Sequence, residues 1–388
     1  MLDLSILDLR LKKERMPIER MNRDAKTSPE MDSGNSRARV IAFYLPQFHP
    51  IPENDEWWGA GFTEWTNVSK AQPMFPGHHQ PLVPADLGFY DLRVPETRAA
   101  QAEMAQAHGI EAFCYWHYWF AGRRILERPF TEVLTSGEPK FPFCLGWANQ
   151  TWSGIWHGAP DRILIEQTYP GAADHEAHFR MAVEAFGDDR YLRVNGKPLF
   201  YIYRPMAIPE VRRFTDLWRT LAGRAGLPGL YLVAEGGPEW NPAEHGFDAS
   251  VTVNLPSLQG WEPPWRPIRR LRWQWRKRRG LPTIVPYEEA EADIVPARRP
   301  GVRSHPCLLP NWDNTPRSGR NGLVLHGSTP ELFRRHVRRA LAIVASDPPE
   351  ERLVFVKSWN EWAEGNHLEP DLKFGRGYLE VIREEVHG

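Results

Sequence analysis

Cysteine is scarce in this chain. Only Cys114, Cys144 and Cys307 occur among 388 residues, each inside an apolar run and at no regular spacing. That excludes a disulfide framework or a paired-cysteine zinc site, and it favours three buried thiols in a reducing compartment. An excess of charge is missing too. Lys plus Arg number 48 against 49 for Asp plus Glu, so no overall basic field draws the chain to nucleic acid, and no nucleic-acid partner is expected. No apolar run is long enough to cross a bilayer. Neither G-x-G-x-x-G nor G-x-x-x-x-G-K-[ST] appears, which removes the phosphate-cradling loops of dinucleotide-binding and P-loop proteins. His-Glu-x-x-His and Asp-x-Asp are also missing, so neither a metal nor another cofactor is expected.

Residues 1–36 interrupt short apolar patches with charge, and their basic residues follow the first patch, the reverse of a secretory signal. They read as a flexible N-terminal leader, and a cytoplasmic location is expected.

Tryptophan, by contrast, is abundant, with 17 copies, many in polar stretches bordered by Pro and Gly. Core packing accounts for some. A sugar site would account for others, because a flat aromatic face packs on the apolar face of a pyranose while its N–H stays available.

Short, nearly continuous apolar runs recur at Val40–Leu45, Ala112–Trp116, Phe143–Trp147, Leu199–Tyr203, Leu230–Ala234, Ala249–Val253, Cys307–Pro310 and Leu353–Val356. Such runs suit parallel strands buried on both faces. Helical spacing occupies 95–108, 174–186, 208–223, 329–345 and 376–386, the first and fourth opening on Pro. The alternation predicts one (β/α)8 TIM barrel over residues 37–388. Its β→α loops are long at 46–94, 117–141, 148–172 and 254–305, the last carrying a basic insertion after strand 6. A doubly wound sheet, the other fold considered, lacks its glycine signature.

A barrel builds its active site at the C-terminal ends of its strands. Nearly every strand here delivers a polar or aromatic group to that end. The candidates for substrate contact begin with Tyr44, Gln47, His49, Trp58, Glu64 and Trp65 around the first strand and its loop. Trp116, His117, Asn149, Trp152, Tyr203 and Glu235 follow from the next four strands. Trp312, Asp313, Asn314 and Arg317 sit in PNWDNTPRSG, where the other reading is a self-bonded Asx turn. His117 reads equally as a structural histidine. The tryptophans of NDEWWGAGFTEWTNV read either as stacking faces or as a plug in the barrel mouth.

The densest constellation is SWNEWAEGNHLEP, residues 358–370. Cleaving a glycosidic bond takes one carboxylic acid to protonate the leaving oxygen and a second carboxylate as base or nucleophile. Glu361 and Glu364, three residues apart on a turn, can face one cleft, and their repulsion would raise one pKa. Asn360, Trp362, His367 and Glu369 complete the group; the plainer reading is a solvated acidic turn. The basic stretch WRPIRRLRWQWRKRRG, residues 265–280, reads either as a solvated helix or as a peripheral contact for a membrane or an anionic glycan.

With these motifs in order, FYLPQFHPIPENDEWWGAGFTEWTNV, YWHYWF, WANQTW, WDNTPR and SWNEWAEGNHLEP resemble the WbsX family of polysaccharide-locus proteins, labelled glycosyltransferase but related to glycoside hydrolase family 99. The last motif is similar to the Asn-Glu-Trp-His-Glu-Gly signature of family 99 endo-α-mannosidases, with Ala363 in place of the His. The resemblance implies a retaining, metal-free reaction through a 1,2-anhydro sugar, with Glu361 as base toward the 2-hydroxyl and Glu364 as acid toward the leaving group. The expected function is hydrolysis of an α-linked bacterial surface polysaccharide or exopolysaccharide. Transfer in polysaccharide biosynthesis and non-catalytic carbohydrate binding are the alternatives.

Overall fold

A computed structural model describes residues 36–154, 159–255 and 279–388. The expected leader, but for its last residue, and nearly all of the basic stretch 265–280 lie outside the described residues.

The eight apolar runs are eight strands. β1 is Arg39–Tyr44, β2 Ile110–His117, β3 Phe143–Trp147 and β4 Lys197–Ile202. β5 is Tyr231–Glu235, β6 Ala249–Thr252, β7 Ser304–Leu308 and β8 Leu353–Val356. Each pairs in parallel with the next, and β8 returns to β1 with Val40 opposite Val354 and Ile41 opposite Phe355. The sheet is a closed (β/α)8 barrel, as the sequence predicts. Closure leaves no unpaired edge, so strands this apolar need no polar outer face.

Two short helices lie in the first loop, α1 (Pro52–Trp58) and α2 (Glu64–Lys70). The outer helices are α3 (Pro95–Ala107), α4 (Arg128–Ser136), α5 (Ala172–Phe186), α6 (Val211–Arg224), α7 (Tyr287–Ile294), α8 (Pro330–Val344) and α9 (Gly377–His387). The five segments of helical spacing are α3, α5, α6, α8 and α9. α4 and α7 fall inside segments read as loops, because two turns are too short to show a period. Between β5 and β6 runs only the 3-10 turn Pro242–His245.

Aromatic rings fill the barrel centre. Phe43 stacks on Trp116 at 4.8 Å, meets Tyr201 edge-on at 4.8 Å and lies 5.6 Å from Phe355. Burying each such ring contributes roughly 2–3 kcal/mol. The plug is therefore aromatic and dry, and the floor it makes carries the site. The three cysteines are buried and free.

Candidate active site

The glutamate pair comes from the turn after β8, and that turn is zipped to the end of β1. Ser358 Oγ and Trp359 N both donate to Phe43 O, at 2.9 and 2.7 Å. Asn360 clamps Leu45 twice, accepting from its N–H at 2.7 Å and donating to its carbonyl at 3.0 Å. An Asn amide carries a donor and an acceptor, so it substitutes for a neighbouring strand. Asn360–Glu361 then pairs antiparallel with Asn366–His367 around the 3-10 turn Trp362–Glu364. Gly365 closes that turn at φ 54°, and a Cβ there would fall 2.8 Å from Asp313 N. Both the dihedral and the close approach require glycine. Asp313 N in turn donates to Glu364 O at 2.7 Å. The Glu-x-x-Glu spacing is thus a hairpin turn that presents both carboxyl groups to one cleft.

Arg317 stands on the single helical turn Thr315–Ser318 after β7. Its Nη1 donates to Glu364 Oε1 at 2.6 Å and its Nε to Glu64 Oε1 at 2.8 Å. Glu361 has no such bond, and its buried Oε2 has no hydrogen-bond partner among the described residues. Burial pushes the Glu361 carboxyl up to about 8, with the Glu364 charge beside it as the next cause. Burial and then the Glu361 charge also raise the Tyr118 phenol, which stays a donor. Lys357 stays charged although burial opposes it, because its neighbours, the Glu235 carboxylate first, outweigh that cost.

The Glu361 shift has a consequence for stability. The folded chain binds this proton more tightly than the unfolded chain. Its contribution is therefore full below the ordinary value of 4.5 and is lost as pH rises through about 8. Glu361→Gln removes the dependence. Thermal unfolding at a series of pH values is expected to show the variant gaining on the parent from pH 5 to pH 9. A gap that stays constant would mean that Glu361 is not held protonated.

The cleft encloses about 680 Å³ above the aromatic plug. Of the residues singled out in the sequence, Gln47, Trp58, Glu64, Trp116, Asn149, Trp152, Tyr203, Arg317, Glu361 and Glu364 line it. Tyr118, Arg204, Lys357 and Tyr169 line it as well. Tyr118 was legible by alternation, since it lies two residues beyond Trp116, just past the end of β2. Lys357 was legible, like Arg204, as a cation ending an apolar run. Tyr169, far along a loop, gave no signal.

The structure places the remaining candidates away from the cleft, each for a physical reason. Tyr44 faces α3, where its hydroxyl donates to Gln101 at 2.7 Å. His117 points outward from β2, one residue out of phase with Trp116, and its Nε2 lies 2.9 Å from that of His178 on α5. Burial holds His117 down to about 3, so it is neutral. His49 bonds the Pro46 carbonyl through Nδ1. Trp65 packs among Phe48, Tyr90 and Trp362 and donates to Tyr90 O. Glu235 sits in the barrel interior and accepts from Tyr201 at 2.8 Å. Trp312 is buried, with Lys357 Nζ 5.8 Å from its ring centroid.

Asp313 is consumed by His78, Gln80 and its own Asx turn to Thr315, and Asn314 accepts from Leu323 N. Asn360 is the clamp described above. Trp362 stacks on His367 at 3.9 Å and donates to Glu369 at 2.6 Å. Glu369, pushed up to about 7 by burial, also accepts from Tyr90 and Gln101. Glu369, Trp362 and Asn360 therefore form the wall behind Glu361 and fix its position without facing the cleft.

The chain is 39% identical over 352 residues to the uncharacterized protein WxcX from each of two strains of Xanthomonas campestris pv. campestris. The match covers 90% of this chain and 50% of either relative, so the chain spans half the length of the curated relatives it matches. Among solved structures, a glycoside hydrolase-like protein superposes with a TM-score of 0.56 at 14% identity, covering 93% of this chain and 97% of the other. A family 99 endo-alpha-mannosidase from Bacteroides thetaiotaomicron, in complex with Bis-Tris-propane, gives 0.51 at 15% identity, covering 90% and 96%. These likenesses concern the fold. The model of the family described as glycosyltransferase WbsX matches residues 40–382, and the chain belongs to that family.

Proposed function

We propose that the chain is a retaining glycoside hydrolase acting on an α-linked bacterial surface polysaccharide or exopolysaccharide, with Glu361 and Glu364 as its acid–base pair. The observation that carries this is the arrangement of charge. Two carboxyl groups face one aromatic-walled cleft at the C-terminal end of a barrel. One, Glu364, is bonded by Arg317; the other, Glu361, is favoured in its protonated form by burial and has an oxygen without a hydrogen-bond partner among the described residues. Two carboxyls that share one proton in a partly dry site are the equipment for glycosidic cleavage.

The reaction then runs as a proton circuit. Glu361 takes the proton of the sugar 2-hydroxyl, whose oxygen attacks C1. Glu364 gives a proton to the departing glycosidic oxygen. Water next attacks C1 of the 1,2-anhydro sugar and loses its proton to Glu364, while O2 recovers its own from Glu361. Burial favours a protonated Glu361 in the empty site, whereas the circuit begins with the proton on Glu364, so substrate entry must shift it. Glu64 makes that shift tolerable: when Glu364 becomes neutral, Arg317 still has a carboxylate partner.

The family's description as a glycosyltransferase favours one other outcome, in which an acceptor hydroxyl replaces water on the same intermediate. Mass spectrometry of products formed in 18O-labelled water separates the two. A panel of α-linked oligosaccharides and bacterial polysaccharides is expected to yield fragments labelled at the new reducing end. Unlabelled, lengthened products would replace hydrolysis by transfer. Product only with an added nucleotide-sugar donor would overturn the reading.

A further inference from the structure

We infer that the cleft contains an anion subsite, built by Lys357 and Arg204, that receives the carboxylate of an acidic sugar residue in the glycan. The inference rests on reading the cleft as a glycan site and names the class of glycan.

Among the described residues, three cations line the cleft: Arg204, Arg317 and Lys357. Arg317 is saturated by Glu64 and Glu364. The other two have no carboxylate within 4 Å among the described residues, although both stand in a site rich in glutamate. They converge on one ring. Lys357 Nζ lies 5.6 Å from the Tyr203 centroid and Arg204 Cζ lies 5.4 Å from it. Arg204 is anchored at its root only: its backbone N–H donates to Asn149 Oδ1 at 2.7 Å and its carbonyl accepts from Asn149 Nδ2 at 2.8 Å. Its guanidinium makes no hydrogen bond among the described residues and is exposed at the cleft.

Lys357 is only 8% exposed. Burying an ammonium costs several kcal/mol unless an anion compensates. Glu235 is its largest electrostatic support, but it lies beyond ion-pair distance and its Oε2 already accepts from Tyr201. Balancing the catalytic carboxylates would explain a buried Lys357. It would not explain Arg204, which is exposed and spends no donor on any of them. A planar guanidinium fork beside an ammonium is a carboxylate receptor, bidentate from one side and a point charge from the other.

The test is calorimetric binding to the hydrolysis-blocked Glu361→Gln protein, so that it does not depend on turnover. The probes are oligosaccharides from an acidic, hexuronate-containing bacterial exopolysaccharide and the same oligosaccharides after reduction of their carboxyls to alcohols. The acidic form is expected to bind at least about 10-fold more tightly. Adding Arg204→Gln or Lys357→Met should bring the two forms within about 2-fold of each other. Arg204 is exposed, so its variant remains informative if the Lys357 variant fails to fold. Free glucuronate should compete for the site. Equal binding of the two forms, binding of neither, or a preference that survives Arg204→Gln would overturn the subsite. Competition by inorganic phosphate but not by glucuronate would overturn the acidic-sugar assignment. Failure of the wild type to cleave any glycan, with the binding preference intact, would sink the hydrolase reading and leave the subsite standing.

Discussion

Glu361→Gln and Glu364→Gln are each expected to lower turnover of a cleaved glycan by at least about 10³-fold, and the double variant by little more. The near-equality follows from the geometry. The two carboxyls face one cleft and handle one proton circuit, so removing either member stops both halves. Gln keeps the size and the polar contacts of Glu, which separates loss of proton transfer from loss of shape. An activated aryl glycoside sorts the roles. Its leaving group needs no protonation, so Glu364→Gln is expected to recover most of its loss on that substrate while Glu361→Gln does not. The opposite pattern would assign the acid role to Glu361, whose carboxyl burial pushes up. Full activity in either variant on natural glycan would remove the pair from the chemistry.

Arg317→Leu is expected to destabilise the fold by about 3–5 kcal/mol, measured by urea unfolding. Arg317 binds two carboxylates, and their side chains are 1% exposed at Glu64 and 14% at Glu364. Leu removes the guanidinium and leaves two glutamates desolvated beside Glu361. The cost is mainly that of uncompensated charge, so it is reducible. Adding Glu64→Gln should return a substantial part of the lost stability, and the coupling between the two sites should exceed about 1 kcal/mol. Strictly additive losses would mean that the pair is incidental. Neither variant is expected to be active, because without Arg317 the Glu364 carboxylate loses its cationic partner among the described residues.

The wall behind the glutamates shows where sequence reading reaches its limit. Asn360, Trp362, His367 and Glu369 belong to the right segment and still miss the cleft. Trp362 and Glu369 satisfy each other in a buried network with Tyr90 and Gln101, residues some 270 positions distant in the chain. His117 misses it by one residue of strand phase. Asp313 misses it because His78 and Gln80 arrive from the first loop and occupy its Oδ2, while Thr315 takes its Oδ1. Nothing local to any of these motifs announces the partner.

Read alone, the sequence predicts the barrel: its eight strands, its main helices, the end expected to carry the site and the segment that supplies the glutamate pair. Those features are local, since hydrophobic period, turn residues and chain order act within a few positions of each other. Which polar groups reach the cleft, that Glu361 is buried beside Glu364, and which cations go without a carboxylate among the described residues emerge from the folded chain alone. Those depend on burial and on contacts between distant loops, and burial is what moves a carboxyl from 4.5 to about 8.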